Sequence, residues 1–91
     1  MKVKWTKVAF SDLVKIFEYI SNEDMPETAR KIVGIINSSI GQLLKFPESG
    51  KKGRVEETRE LVVPGTPFTI VYRIKNDALE ILTILHHSKK W

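Results

Sequence analysis

The apolar residues of this chain change their spacing once, and that change restricts the fold more than any other feature. In the first half they recur every three or four residues in two stretches, which is typical of helices that bury one face. The second half has short runs rich in β-branched and aromatic residues, separated by turn sequences such as residues 64–67. Near the N-terminus, Val3 and Trp5 alternate with lysines, which predicts a short strand with one buried face.

Two amphipathic helices are predicted from these spacings. The first apolar stripe comprises Ala9, Phe10, Leu13, Ile16, Phe17 and Ile20, and the second comprises Ala29, Ile32, Val33, Ile36, Ile40, Leu43 and Leu44. Thr6 is a predicted cap for the first helix, and Asp12 is expected to face water. Asp24, followed by Pro26 and Glu27, is a helix-start signal for the second. The short connection predicts an antiparallel helix hairpin.

The order of elements predicts a two-layer α+β domain covering residues 1–91. Three strands at 61–63, 68–74 and 79–85, joined by short turns, form an antiparallel meander, and the N-terminal strand joins their sheet. The helix hairpin packs on one face, and the other face stays partly open to carry functional groups. Residues 48–57 are expected to form a long polar loop with a basic tip.

Composition excludes several classes of protein. The chain has 91 residues, no cysteine and a formal net charge of +4. Disulfides, thiolate catalysis and cysteine-based zinc sites are therefore excluded, and the charge favours polyanionic partners. No apolar run approaches the roughly 20 residues of a membrane span, and no signal peptide is evident. We expect a cytoplasmic protein without membrane association, cofactor or metal site.

The C-terminal segment concentrates groups that suit RNA chemistry. It reads His86-His87-Ser88-Lys89-Lys90-Trp91. Histidine transfers protons near neutral pH, lysines attract phosphate and a tryptophan offers a face on which a base can stack. The alternative is a solvated basic tail with one anchoring tryptophan.

The chain resembles the RelE/ParE superfamily of bacterial toxins. The resemblance lies in residues 58–74 and 84–91, in Trp5, in the helix that carries Asp12 and Tyr19, and in the junction at residues 44–50. It implies a toxin of a type II toxin–antitoxin pair, held inactive by an acidic antitoxin that wraps its surface. Such complexes commonly repress their own operon, and the antitoxin contacts the operator DNA.

Two activities divide that superfamily. RelE-like members cleave mRNA in the ribosomal A site without a metal, whereas ParE-like members inhibit DNA gyrase and show no nuclease chemistry. The basic C-terminus with its two histidines favours a ribosome-dependent endoribonuclease, which we place first. The gyrase inhibitor is the alternative, because lysines follow the last strand where the resemblance to RelE implies an arginine. A toxin whose activity has decayed is a third alternative.

His87 is the first candidate for proton transfer. Its segment is similar in spacing to the C-terminal His-Ser-x-x-Phe arrangement of the YafQ-like ribosome-dependent RNases, which implies that Trp91 takes the aromatic position. His86 is adjacent, and a shift of one residue in the alignment exchanges the two roles. A continuing strand would point these two histidines in opposite directions.

The basic candidates divide into two groups. Arg59 and Arg73 are candidates for stabilising the charge on the phosphate. The structural alternative for Arg73 is a salt bridge with Glu60 or Glu80 across the sheet. Candidates for binding the RNA backbone are Lys51, Lys52, Arg54, Lys89 and Lys90.

Overall fold

The computed structural model describes residues 1–22 and 25–87. Its elements, in chain order, are β1 (Lys2–Trp5), α1 (Lys7–Asn22), α2 (Pro26–Lys45), β2 (Lys51–Lys52), β3 (Arg59–Val62), β4 (Phe68–Lys75) and β5 (Ala78–His86). Within the described ranges, no helix combines the length and the apolar composition that crossing a bilayer requires.

The strands form one mixed sheet in the order β1-β5-β4-β3-β2. Strand β1 pairs in parallel with β5, and every other neighbouring pair is antiparallel. The predicted meander of β3, β4 and β5 is confirmed, as is the prediction that the N-terminal strand joins its sheet. The architecture is the α+β fold that the sequence predicts.

The core lies between this sheet and the helix pair. Buried side chains from α2 meet buried side chains from the central strands, and the cluster comprises Ala9, Ile36, Ile40, Leu43, Val63, Phe68, Ile70, Tyr72, Leu79, Ile81 and Ile84. Helix α1 adds Leu13 and Ile16, which are partly buried against it. Phe10, in contrast, is 59% exposed. The predicted burial of Phe10, and of Phe17 at 37% exposed, is wrong because α1 packs through Ala9, Leu13 and Ile16. The two phenylalanines lie beyond that narrower face.

The start of α1 follows the prediction. The Thr6 hydroxyl oxygen accepts a hydrogen bond from the backbone N–H of Ala9 at 3.1 Å and donates its own proton to the Leu82 carbonyl at 2.9 Å. One side chain therefore caps the helix and fixes it to β5. Helix α2 begins at Pro26, and Met25 before it makes no side-chain capping bond. Asp24, the predicted cap, lies outside the described residues.

The predicted polar loop at residues 48–57 contains a strand, so that prediction is wrong in part. Lys51 and Lys52 pair with Glu60 and Arg59, and β3 begins two residues earlier than predicted. Two lysines carry no alternation of apolar and polar residues, so the periodicity that reveals strands is absent here.

Asp12 was predicted to face water, and that prediction is wrong because its side chain lies against the sheet. Strand β1 ends at Trp5, opposite Ile81, and beyond that point none of the described strands lies beside the outer edge of β5. The Oδ2 atom of Asp12 accepts a hydrogen bond from the Thr83 hydroxyl and another from the Ile84 N–H at 3.1 Å. The helix thus supplies the acceptor that a further strand would otherwise provide.

Candidate functional site

The face of the sheet opposite the helices carries a shallow groove of about 250 Å³. We call it the histidine groove, and its lining residues are Lys51, Arg54, Glu60, Val62, Thr69, Leu85, His86 and His87. The antiparallel register brings these residues together, because Lys51 pairs with Glu60 and Thr69 pairs with both Val62 and Leu85. Four predicted site residues, namely Lys51, Arg54, His86 and His87, meet in this groove.

Glu60 and Arg54 form the most connected pair in the histidine groove. The Glu60 side chain is almost fully buried, and its Oε2 atom accepts a hydrogen bond from the Arg54 backbone N–H at 3.0 Å. The Arg54 Nε atom lies 3.5 Å from the same oxygen. Burial alone would raise the pKa of Glu60, but the hydrogen bonds and charge of Arg54 outweigh it and hold that pKa below its ordinary value. Glu60 is therefore an ionised carboxylate that is bound to Arg54, and it is a poor acceptor for a substrate proton.

The two histidines lie at the end of the β4–β5 ladder. The backbone N–H of His87 donates to the Pro67 carbonyl at 2.8 Å, and its side chain is exposed. His86 pairs with Phe68, and the two rings meet edge to face with centroids 5.5 Å apart. Phe68 belongs to the core, so His86 also contacts the helix side of the sheet. The His86 ring thus packs against Phe68, and the side chains of both histidines are exposed.

Arg59 and Arg73 lie in a different groove, of about 690 Å³, at the other end of β4. We call it the arginine groove, and its lining residues are Lys45, Phe46, Pro47, Glu48, Glu57, Arg59, Arg73 and Ile74. The four residues predicted to be catalytic are thus divided between two grooves. His86 and His87 line one, and Arg59 and Arg73 line the other.

Both guanidinium groups in the arginine groove already have partners in the protein. Arg73 donates from Nε to Glu80, its partner in the β4–β5 register, so one of the two predicted salt bridges is present. Arg59 donates from Nη1 to the backbone carbonyls of Gly50 at 2.8 Å and Glu48 at 3.2 Å. Arg59 therefore holds the segment after α2 against β3.

Tyr72 holds the same segment from the core side, and the sequence analysis did not single it out for this role. Its hydroxyl donates to the Pro47 carbonyl at 2.7 Å and accepts from the Gly50 N–H at 3.0 Å. The side chain is fully buried, and burial raises the pKa of its hydroxyl. The available signal was a tyrosine that alternates with Phe68 and Ile70 on the apolar face of the predicted strand, because a buried hydroxyl needs a polar partner.

Lys52 is the remaining predicted residue within the described part of the chain, and it lines neither groove. Lys52 is exposed on β2 and lies next to Arg59 in the register. Trp91, Lys89 and Lys90 lie outside the described residues. In residues 1–22 and 25–87, no group of three or more histidine, aspartate or glutamate side chains is placed to hold a metal ion.

The sequence and the fold both match known toxins. The profile of a family described as the ParE toxin of the type II toxin–antitoxin system parDE matches residues 3–91. The protein Y4kP of Sinorhizobium fredii, named as a candidate toxin, is 39% identical over 90 residues, covering 99% of this chain and 92% of that protein. A structure of the chromosomal ParDE system from P. aeruginosa superposes with a TM-score of 0.85 at 30% identity, covering 94% of this chain and 95% of the other. A chain of the RelBE2 toxin–antitoxin complex from Mycobacterium tuberculosis superposes with a TM-score of 0.65 at 26% identity, covering 93% of this chain and 95% of the other.

Proposed function

The chain belongs to the ParE toxin family of type II toxin–antitoxin systems, and from that premise we propose that it arrests growth by binding DNA gyrase and inhibiting it, without cleaving RNA. This reverses the order of the two activities that the C-terminal sequence favoured. The reason for the reversal is that Arg59 and Arg73 are both bound to partners within the protein.

The observation that supports the proposal is the internal pairing of Arg59 and Arg73. Cleavage of RNA by its own 2′-hydroxyl requires cations that are free to stabilise the negative charge developing on the phosphorus. Arg73 is neutralised by Glu80, and Arg59 is bound to two backbone carbonyls. Both also lie in the arginine groove and not beside His87. A protein that acts by binding a target does not need these groups to be free.

We further propose that an acidic antitoxin holds the toxin inactive. The net charge of +4 is complementary to such a partner. Helix α1 also exposes Phe10, Val14 and Phe17 on one side, and an exposed apolar stripe of this kind is typical of a surface that a partner covers. The RelBE2 structure from M. tuberculosis, a toxin–antitoxin complex of similar fold, supports this arrangement.

Two assays separate the two activities, one on the purified chain and one in cells that express it. Gyrase is first incubated with relaxed plasmid and ATP, with and without the toxin, and supercoiling is read on a gel. We expect the toxin to block supercoiling, and we expect addition of the antitoxin to restore it. Primer extension on mRNA from cells expressing the toxin should show no new cuts within codons. Unimpaired supercoiling together with such cuts would overturn the proposal.

A ribosome-dependent endoribonuclease is the second candidate, and the histidine groove favours it. His87 lies there with Lys51 and with Arg54, which is paired with Glu60, so a proton-transfer group and two basic side chains line one surface. In that reaction the ribose 2′-hydroxyl attacks the neighbouring phosphate and the 5′-oxygen of the next nucleotide leaves. His87 would take the proton from the 2′-hydroxyl or give one to the leaving 5′-oxygen, and water would serve at the other oxygen. Lys51 and Arg54 would contact the backbone, and Trp91 would hold a base.

This candidate makes its own prediction for His87→Ala. Removing a general acid or base costs roughly 10²–10⁴ in rate, so the variant should lose growth arrest while it still binds antitoxin. His86→Ala is the matched comparison, since it removes the neighbouring imidazole. The gyrase proposal expects the His87→Ala protein to block supercoiling as the unmodified chain does.

A further inference from the structure

Three lysines form a patch at the β1 margin of the face that carries the histidine groove. The register pairs Lys2 and Lys75 with Ala78 from either side, and it pairs Lys4 with Glu80. Partners in a register share a face, so Lys2, Lys4 and Lys75 lie on the same side as Glu80. Val3 and Trp5 alternate with the two β1 lysines and pack on the core, which confirms the orientation of β1. We call Lys2, Lys4 and Lys75 the lysine patch.

The charge of the lysine patch is not neutralised within the described part of the chain. All three lysines are exposed, and neither of the two ion pairs found in that part involves them. Glu80, the carboxylate between them, is already paired with Arg73. Asp77, in the turn between β4 and β5, is the acidic residue next to the patch along the chain. Among the described residues, the patch is therefore a cluster of three ammonium groups with one acid, Asp77, close to it along the chain and absent from both ion pairs.

The spacing of the patch suits the backbone of a nucleic acid duplex. Strands β1 and β4 lie on either side of β5, so the Cα atoms of Lys2 and Lys75 are about 10 Å apart. The Cα atoms of Lys2 and Lys4 are about 7 Å apart along β1. Grooves of duplex DNA are roughly 6–12 Å wide, so the lysines on β1 and β4 can each meet phosphates on a different strand. The patch contains no aromatic side chain, whereas surfaces for single strands rely on aromatic stacking.

We propose that the lysine patch binds the phosphate backbone of duplex DNA without sequence preference. The toxin itself would then contact DNA, in addition to any contact that an antitoxin makes. The patch would give the toxin a second point of attachment wherever its target is bound to DNA. The proposal stands on the patch alone and does not require gyrase to be that target.

The test compares two triple variants that change the formal charge equally. Lys2, Lys4 and Lys75 are changed to glutamine in one, and Lys7, Lys15 and Lys31, exposed on the helices, are changed to glutamine in the other. Binding to a fluorescent duplex of about 20 base pairs of arbitrary sequence is followed by anisotropy over a range of salt concentrations, with circular dichroism to verify folding. Gyrase is absent from the assay, so its outcome is independent of the proposed function.

We expect the lysine-patch variant to bind at least tenfold more weakly and to lose about three units of slope in the plot of log affinity against log salt. The helix variant should keep most of the affinity and the slope. An equal loss in both variants would mean diffuse attraction and would overturn the proposal. Absence of duplex binding, or tighter binding of single-stranded RNA or of polyglutamate through the same lysines, would overturn it as well.

Discussion

Gly50 and Tyr72 fit together so closely that a methyl group at Gly50 would lie 2.6 Å from the tyrosine hydroxyl oxygen. The same hydroxyl accepts the Gly50 N–H and donates to the Pro47 carbonyl, so the chain after α2 is held against β4 at one buried point. Arg59 holds this segment from β3. The arginine groove therefore owes its shape to contacts that two strands make with the segment at residues 47–50.

Gly50→Ala should destabilise the protein. The added methyl group meets both the hydroxyl oxygen and a ring carbon of Tyr72, so one of them must move, at a cost of about 1–3 kcal/mol in the free energy of unfolding. Urea denaturation measures the change. Gly41→Ala is the matched control, because nothing lies within 4 Å of the new methyl group in α2. Its free energy of unfolding should rise by about 0.5–1 kcal/mol, since alanine favours a helix over glycine. A Gly50→Ala protein as stable as the unmodified chain would show that this packing is not tight.

Tyr72→Phe should also lower the free energy of unfolding, by about 1–3 kcal/mol. The ring still fills the core, but the Pro47 carbonyl and the Gly50 N–H both lose their partner. Thermal or urea unfolding tests this. Tyr19→Phe removes a hydroxyl from a side chain that is 71% exposed, and it should change stability by less than about 0.5 kcal/mol. Equal effects of the two substitutions would contradict a structural role for the Tyr72 hydroxyl.

Glu60→Gln should change how stability depends on pH. The pKa of Glu60 in the folded protein lies below the ordinary value of 4.5, so its charged form stabilises the fold at neutral pH. That contribution is present above pH 4.5 and is lost as the pH falls through the lowered pKa. We expect the variant to be less stable than the unmodified protein at pH 7, by about 1–2 kcal/mol, and the difference to shrink below pH 4.5.

Urea midpoints measured between pH 2.5 and pH 7 test this dependence. Glu18→Gln is the control, because it removes a carboxylate that is exposed on α1 and remote from Arg54. A stability difference for Glu60→Gln that stays constant across the whole pH range would rule out the charged pairing with Arg54.

Asp12→Ala should loosen α1 from the sheet. The Thr83 hydroxyl and the Ile84 N–H would both lose their acceptor, at a cost of about 1–3 kcal/mol. Asp12→Asn keeps one acceptor oxygen and should cost less. Hydrogen exchange of the Ile84 amide gives a local readout, and we expect it to speed up in the alanine variant. Unchanged exchange at Ile84 would show that the amide is protected by something else.

The sequence predicted the layers of the fold, because periodicity reports which residues are buried along each element. The stripe at residues 29–44 and the run at 68–74 correspond to α2 and β4. The roles of Asp12 and Tyr72 were not predictable in the same way. Their partners lie more than 20 residues away along the chain, and only the packing of α1 and of the segment after α2 brings them together.

In the candidate site, too, some features were predictable from the sequence and others depend on the folded structure. Lys51, Arg54 and the two histidines could be proposed from their charge and chemistry, and the register brings them into one groove. Whether a guanidinium group is free depends on what stands opposite it in the sheet. The sequence therefore left Arg73 with two roles, catalysis or a salt bridge with Glu60 or Glu80, and the register is what selects Glu80.

The position of the Asp12 carboxylate has a consequence for self-association. Exposed sheet edges are templates on which further chains can add, and this sheet ends in short strands that carry two lysines each, β1 and β2. Beyond β1 the longer strand β5 would offer a better template, but Asp12 occupies it. Growth of fibrils from that side would first require α1 to detach, so a ligand that pins α1 in place would also protect the chain against aggregation.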